Sequence, residues 1–357
     1  MNKGTFGNRV PNKYSTGEVI ASAGSPGVGW VSLDGVDKKL YGRGINKNFG
    51  QKLLKLKNFV WTTQTSNFVL TSIQSVAYGN NLWVAGGDAG HLRTSTDLIT
   101  WTARTANFGG QIIHSVAYGN NLWVFGGENG QIRTSTDAIT WTTQTSNFGG
   151  TTNIYSVAYG NSLWVAGGLS GQLRTSTDAI TWTTQTSNFQ STLIILSVAY
   201  GNNLWVAGAT GGQLRTSTDA VTWTTRASNF VTNIYSVAYG NSLWVAGGAG
   251  GQLRTSTDAV TWTTRTSNFG TTVIMSVAYG NNIWVAGGSA AGAGGELRIS
   301  TDAITWTTQT SNFGNRAINS VAYGNAVWVA VGDFGEIRST SLNQYSIPLQ
   351  TGMWVKS

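Results

Sequence analysis

The chain has 357 residues with three prolines and no cysteine, which excludes a disulfide framework and a thiolate metal site. Its hydrophobic residues, 40% of the total, are never gathered into a run that could cross a bilayer as a helix, so membrane insertion is not expected. The formal net charge of +8 suggests a nucleic-acid partner until it is mapped: residues 1–60 hold ten basic residues against three acidic ones, and the remainder is within one charge of neutral.

Residues 1–58 form the first element. Lys3, Arg9, Lys13 and Glu18 stand here without the apolar core of a secretory signal, so Sec-type export is not expected. Lys38 to Lys57 make a basic arm that is either simply solvated or meets an acidic partner or assembly surface. No recognised nucleic-acid motif accompanies it, and nucleic acid is not an expected partner.

From Trp61 to Gln344 the chain is seven near-copies of a unit of about forty residues. Each reads WTTQTSNF, a variable stretch, SVAYGNNLWVAGG, a short variable loop, then GQLRTSTDAIT. Units of this length, rich in β-formers and punctuated by Gly-Asn and Thr-Asp turns, predict an all-β, seven-bladed β-propeller of four-stranded antiparallel blades over residues 59–345, with a tail over 346–357. In the third unit, Ile154 to Gly160 is the expected innermost strand and Leu163 to Ala166 the second. Gln172 to Ser176 is the third, and Ile180 to Gln185 the outer one.

The final unit lacks an outer strand, because Ser341-Leu342-Asn343 replaces its turn. Val60 to Gln64 carries the matching WTTQ pattern with no third strand before it. The strand around Trp61 is therefore expected to complete the last blade, which would close the ring and remove a sheet edge.

The turn Ser135-Thr136-Asp137-Ala138-Ile139-Thr140-Trp141, present in six copies, resembles the Asp-box (bacterial neuraminidase repeat) hairpin of sialidase-like propellers. It keeps Ser135, Asp137, Thr140 and Trp141 but is one residue shorter than that pattern and lacks its glycine. In that family the box is a structural hairpin remote from the catalytic centre. The resemblance thus implies that Asp97, Asp137, Asp178, Asp219, Asp258 and Asp302 accept backbone N–H bonds inside their own turns. Photosystem assembly factors of the same broad class share such repeats. A sialidase-like site would need three arginines around the cavity, a tyrosine nucleophile beside a carboxylate, and a separate acid. Here the polar residues are the same residue in every copy: Arg93, Arg133, Arg174, Arg215, Arg254, Arg298 and Arg338 hold one third-strand position, where they are expected to pair with turn carboxylates or cover tryptophan faces. Neither His91 nor His114 has a metal-ligand pattern beside it. No enzyme activity, cofactor or metal is expected.

The copies differ mainly in two loops, which in an antiparallel four-stranded blade emerge on one side of the ring. One follows the second strand and reads Asp88-Ala89, Glu128-Asn129, Leu169-Ser170, Thr210-Gly211, Ala249-Gly250, Ser289 to Gly294 and Asp333-Phe334. The other links the outer strand to the next inner one and carries His114, Tyr155, Gln190, Tyr235 and Asn319. Either these loops merely tolerate drift, or this is the recognition face. On the second reading the candidate ligand-binding residues are Asp88, His91, Glu128, Tyr155, Gln190, Tyr235, Asp333 and Phe334, able to stack on and hydrogen-bond a glycan or to meet a protein.

Gly29-Trp30-Val31-Ser32-Leu33-Asp34-Gly35 resembles the Gly-Trp-x-x-x-Asp-Gly stretch of phage tail-fibre collar modules. This resemblance implies a non-enzymatic bacteriophage virion protein, made in the host cytoplasm and released without a Sec signal. Residues 1–58 would attach it to other virion proteins, and the loop face would recognise a host-surface glycan or protein. The alternative is a scaffold of the photosystem-assembly-factor type, and a sialidase-like glycoside hydrolase comes third. Homo-oligomerisation is compatible with each.

Overall fold

A computed structural model describes residues 59–290 and 294–341. The arm over residues 1–58 and the tail over 346–357 lie outside the described residues, as does the collar-like stretch. Seven four-stranded antiparallel sheets follow one another in chain order, and the first strand of each packs against the first strand of the next around a closed ring. This is the seven-bladed propeller that the repeats predict. Blade 1 runs Ile73–Gly79, Leu82–Gly87, Leu92–Ser95 and Thr102–Arg104 from the axis outwards, and blades 2 to 6 repeat it. Among the described residues no helix is long and apolar enough to cross a membrane.

Local chemistry explains the strands and the turns between them. The first two strands of blade 1 are joined through Asn80 and Asn81, both with positive φ, at 46° and 58°. A two-residue hairpin of this kind matches the twist of its strands, and asparagine tolerates it best after glycine. The core lies between blades rather than at one centre. Val124 and Ile132 of blade 2, for example, are buried with Ile154, Val157, Trp164 and Trp182 of blade 3. Each blade therefore depends on its neighbours for burial, as in other repeat architectures.

Two rings of contacts run through all seven interfaces. In the first, the Val76 N–H donates to Ser320 Oγ of blade 7, the Val116 N–H to Ser75 Oγ of blade 1, and so on around the circle at 2.9 to 3.4 Å. In the second, the glycine that ends each inner strand lies under the tyrosine of the next blade. A Cβ on Gly79 would stand 2.2 Å from the Tyr118 ring, and one on Gly324 would stand 2.3 Å from Tyr78. That contact requires glycine, and it explains why Tyr-Gly recurs in every inner strand.

The outer strand is shorter than the sequence pattern predicts: in blade 3 it runs Thr183–Gln185, not from Ile180. The reason is competition for backbone donors. Asp178 Oδ1 accepts the N–H groups of Ile180 and Thr181 at 2.8 and 2.9 Å, which bends both residues out of the ladder.

Closure occurs where the sequence pattern places it. Blade 7 consists of Ile318–Gly324, Val327–Gly332 and Ile337–Ser341 with Val60–Gln64 as its outer strand, in register from Val60 opposite Ser341 to Gln64 opposite Ile337. Trp61 is buried, and its carbonyl accepts Asn312 Nδ2 at 2.8 Å, the bond that Asn229 makes to Trp262 at 2.9 Å elsewhere in the ring. A chain lacking residues 1–66 is accordingly expected to melt well below the full chain, and one lacking residues 1–56 to melt with it. Thermal unfolding followed by tryptophan fluorescence checks this, and equal midpoints for the two truncations would contradict the strand assignment.

Candidate binding site at one face of the ring

Most polar side chains are already committed to the fold. In each of six blades a serine and an aspartate organise the turn before the outer strand. Ser135 Oγ–H donates to Asp137 Oδ1 at 2.9 Å, and the same oxygen accepts the N–H groups of Ile139 and Thr140 at 2.8 and 2.9 Å. The backbone N–H of Thr140, then that of Ile139, holds the Asp137 carboxyl below its ordinary range. Asp97, Asp178, Asp219 and Asp258 are lowered by the equivalent bonds. At Asp302 burial pushes the other way, and the bonds from Thr305, Ile304 and Ser300 outweigh it. Trp141 Nε1 closes the turn by donating to the Ala138 carbonyl at 3.2 Å.

The repeated arginines do something other than the sequence suggests. They neither pair with the turn carboxylates nor cover tryptophans. Each guanidinium lies 4.6 to 5.1 Å over a phenylalanine of its blade, from Arg93 on Phe68 round to Arg338 on Phe313. Each also donates to the carbonyl of the asparagine just before that ring, as Arg174 Nη2 does to Asn147 at 2.7 Å. The arginine thus pins the Asn-Phe segment that enters every blade.

The two variable loop classes do meet. The N–H of the residue heading each turn after the second strand donates to the linker carbonyl that precedes the inner strand: Asp88 to Ser72, Glu128 to Ile112, Leu169 to Asn153, Thr210 to Ile194, Ala249 to Asn233 and Asp333 to Ala317, at 2.9 to 3.2 Å. Side chains reinforce the junction, with Glu128 Oε2 accepting the Ile112 N–H at 3.0 Å and Asp333 Oδ2 that of Ala317 at 3.3 Å. The middle residue of these turns has positive φ. It is Gly211 and Gly250 in blades 4 and 5 but Phe334, at 56°, in blade 7. An exposed phenylalanine in that conformation costs on the order of 1–3 kcal/mol, and Arg316 lies 5.1 Å over its ring.

At this face every inner strand carries a β-bulge. The register slips between Ile73 and Ser75 in blade 1 and at the same place in the other six. The inner strand reads Ile-x-Ser-Val-Ala-Tyr-Gly in all seven copies, and x is Gln74, His114, Tyr155, Leu196, Tyr235, Met275 and Asn319. Six positions are fixed by packing and by the two contact rings. The seventh is the extra residue of the bulge, released from the ladder and free to vary. All seven are half-buried. Neighbours touch from blade to blade: the rings of His114 and Tyr155 lie 4.7 Å apart, and Asn319 Nδ2 donates to the Ile73 carbonyl of blade 1 at 3.1 Å. Burial holds the His114 imidazole below its ordinary pKa, against the opposing charges of Glu128 and Asp88, and its Nε2 is buried without a hydrogen-bond partner.

Of the eight candidate residues, Tyr155 and Tyr235 are bulge residues, Asp88, Glu128 and Asp333 head the adjoining turns, and Phe334 is the strained middle residue of one turn. His91 and Gln190 stay in the loops: His91 Nδ1 is 2.9 Å from Thr71 Oγ1, and the Gln190 carbonyl accepts the Leu193 N–H at 3.0 Å. Sequence reasoning passes over Gln74, Leu196 and Met275 and leaves His114 and Asn319 out of the candidate set. Aligning the seven inner strands position by position exposes all five. Among the described residues no group of three or more His, Asp or Glu is placed to hold a metal ion.

Comparison with known proteins agrees with this architecture. Residues 105–235, which span blades 2 to 4, match the family described as the DUF6242 beta propeller domain. No curated protein matches the chain. Among solved structures, YCF48 from Cyanidioschyzon merolae is 16% identical with a TM-score of 0.61, over 78% of this chain and 98% of that one. A structure of YCF48 bound to D1 peptide is 16% identical with a TM-score of 0.64, over 78% and 94%. The computationally designed Ika8 protein is 14% identical with a TM-score of 0.57, over 79% and 99%. At these identities the likeness is one of fold, and the chain is a propeller repeat protein.

The turn aspartates carry a pH signature. Their folded-state values lie below the unfolded value of about 4, so their stabilisation is present above about pH 4 and is lost as the pH falls through the folded values. The melting temperature is expected to be level near neutrality and to drop below about pH 4. Asp137→Ala and Asp178→Ala should each cost on the order of 1 kcal/mol at neutral pH, and together they should shallow the acid limb. An acid limb unchanged in the double variant would contradict the role given to these carboxylates.

Proposed function

We propose that this propeller is a non-catalytic scaffold that binds an extended segment of a partner protein at the face ringed by the seven bulge residues. The observation that carries the reading is the inner strand itself, uniform at six positions in seven copies and individual at the one position that the bulge frees. The variety gathers at the bulge ring and in the loops beside it, at one mouth, where a symmetric frame can place recognition.

A catalytic centre is not supported by the remaining polar groups. An active site needs unlike residues converging on one point, whereas the repeated Asp, Arg and Ser are spent on turns, linkers and blade contacts. A glycan is also less well served than a polypeptide. The amides at the mouth that would meet sugar hydroxyls are engaged in the wall: Gln74 Nε2 with Asp88 at 2.9 Å, Asn153 Oδ1 with the Asn129 N–H at 3.2 Å, and Asn233 Oδ1 with the Gly211 N–H at 3.1 Å. What remains for a ligand is aromatic and aliphatic surface with some charge, which suits a protein segment. The fold likeness to YCF48, a protein solved with a D1 peptide bound, supports the assembly-scaffold setting ahead of the virion appendage that residues 29–35 suggest.

The test is selection of a displayed random-peptide library on the full chain, with counter-selection on a His114→Ala, Tyr155→Ala, Tyr235→Ala variant. Peptides should emerge whose affinity falls about 100-fold or more in the variant while the melting temperature of the variant stays close to that of the parent. Peptides that bind both proteins equally, or none at all, would contradict the reading.

A further inference from the structure

The seven bulge residues are not distributed at random around the ring. Blades 3 to 6 present Tyr155, Leu196, Tyr235 and Met275, whereas blades 7, 1 and 2 present Asn319, Gln74 and His114. The turns beside them divide at the same place. Their leading residues are Leu169, Thr210 and Ala249 in blades 3, 4 and 5, and the acidic Asp333, Asp88 and Glu128 in blades 7, 1 and 2. In blades 1 and 7 the bulge residue and the acid are hydrogen-bonded, Gln74 Nε2 donating to Asp88 Oδ1 at 2.9 Å and Asn319 Nδ2 to Asp333 Oδ1 at 3.2 Å; in blade 2 Glu128 Oε2 accepts the Ile112 N–H instead.

The described residues contain eleven carboxylates. Six sit in the Asp turns between the third and outer strands, at the other end of the blades, where Oδ1 accepts two backbone N–H groups and a serine hydroxyl, as in Asp137. Glu296 is paired with Arg298 at 2.8 Å, and Glu336 is paired with Arg316 and Arg338. Asp88, Glu128 and Asp333 are the remainder, and among the described residues none of them has a cationic partner within salt-bridge distance. They stand in consecutive blades on one face, half-buried, and a carboxylate can accept more bonds than the one or two each makes here. The other charged or titratable groups at this face do not neutralise them. Arg316 is held by Glu336, and burial, with Arg93 also acting on His91, holds both His91 and His114 below the ordinary imidazole range, which disfavours their cationic forms.

We propose that the ligand of the bulge ring is a basic–apolar polypeptide segment, its lysine or arginine side chain received by the carboxylates of Asp88, Glu128 and Asp333 that adjoin Gln74, His114 and Asn319, and its apolar side chains by Tyr155, Leu196, Tyr235 and Met275. This rests on the binding function proposed above and specifies its ligand. The ring gives the segment a direction, because a basic residue at one end and apolar residues at the other can lie across the mouth in one sense only. The charged contact lies at a half-exposed rim, so it contributes to encounter rate and choice of partner more than to raw affinity, and salt weakens it.

The experiment uses the full chain and three fluorescent synthetic peptides of equal length: alternating Lys-Leu, alternating Glu-Leu and alternating Lys-Ser. Lys-Leu should bind at least about tenfold more tightly than either of the others at low salt, and the margin over Glu-Leu should narrow as salt is raised. The Asp88→Asn, Glu128→Gln, Asp333→Asn variant should lose the Lys-Leu preference over Glu-Leu, and Tyr155→Ala with Tyr235→Ala should lose the preference over Lys-Ser. Both variants should melt close to the parent, since Asn and Gln keep an acceptor oxygen for the wall bonds. If the library yields peptides that depend on the bulge residues but are acidic or uncharged, this inference fails and the binding function stands. If Lys-Leu binds equally to parent and both variants, its attraction is nonspecific and the inference is overturned. If no peptide of either set depends on the bulge residues, both readings fall.

Discussion

The hydrogen bond from each inner-strand valine N–H to the serine of the preceding blade, repeated seven times without a break, is the constraint from which the rest follows. It uses a backbone donor on one blade and a side-chain acceptor on the next, so it requires serine and fixes the height of one inner strand relative to its neighbour. The Tyr-over-Gly contact fixes the same interface lower down the strand. With both in place a blade has no freedom to slide, and seven equal steps return the chain to its starting point. Neither ring has a beginning: Ser320 serves Val76 and Gly324 lies under Tyr78 as though blades 7 and 1 were consecutive in sequence. The outer strand around Trp61 then secures the joint from outside, in a chain that has no disulfide to do so.

The same uniformity accounts for the division of labour among side chains. A charged or polar residue repeated in every blade is answering a local need that every blade has. Asp137 and its counterparts satisfy the donors of a tight turn, and Arg174 and its counterparts hold the entering Asn-Phe segment. Function in such a frame has to be written where symmetry is broken. Symmetry breaks at the bulge, in the turns beside it, and at Phe334, whose backbone conformation would favour glycine.

Much of this was legible in the sequence, for identifiable reasons. Blade count, strand order and the closing strand followed from the repeat phase, because a missing outer strand at Ser341 and a surplus one at Val60 admit one pairing. The Ser-Thr-Asp turn was legible because it is local in sequence. The arginines were not, because their partners lie about twenty-six residues upstream, as with Arg133 and Asn107, and only the folded linker brings them together. The outer strand reads as longer than it is because two N–H groups can join either a ladder or a carboxylate, and sequence pattern does not rank the two. The bulge was invisible for a different reason. Ile-x-Ser-Val-Ala-Tyr-Gly reads as an unbroken strand, and its one variable position looks like the end of a loop until the register slip frees it. Tyr155 and Tyr235 read as loop aromatics, whereas Leu196 and Met275, apolar residues in a strand, read as core.

The claim that the frame is closed by six inner-strand positions and individualised by the seventh is tested most directly by exchanging bulge residues between opposite sectors. In a Gln74→Met, Met275→Gln chain the composition and both contact rings are kept, and only the distribution of chemistry around the mouth changes. The measurement is the binding isotherm of a peptide selected on the parent, taken below a melting temperature recorded for both proteins. The account predicts matching melting temperatures and a loss of affinity in the exchanged chain. Undiminished affinity with the residues exchanged, or a ring that no longer folds, would contradict it.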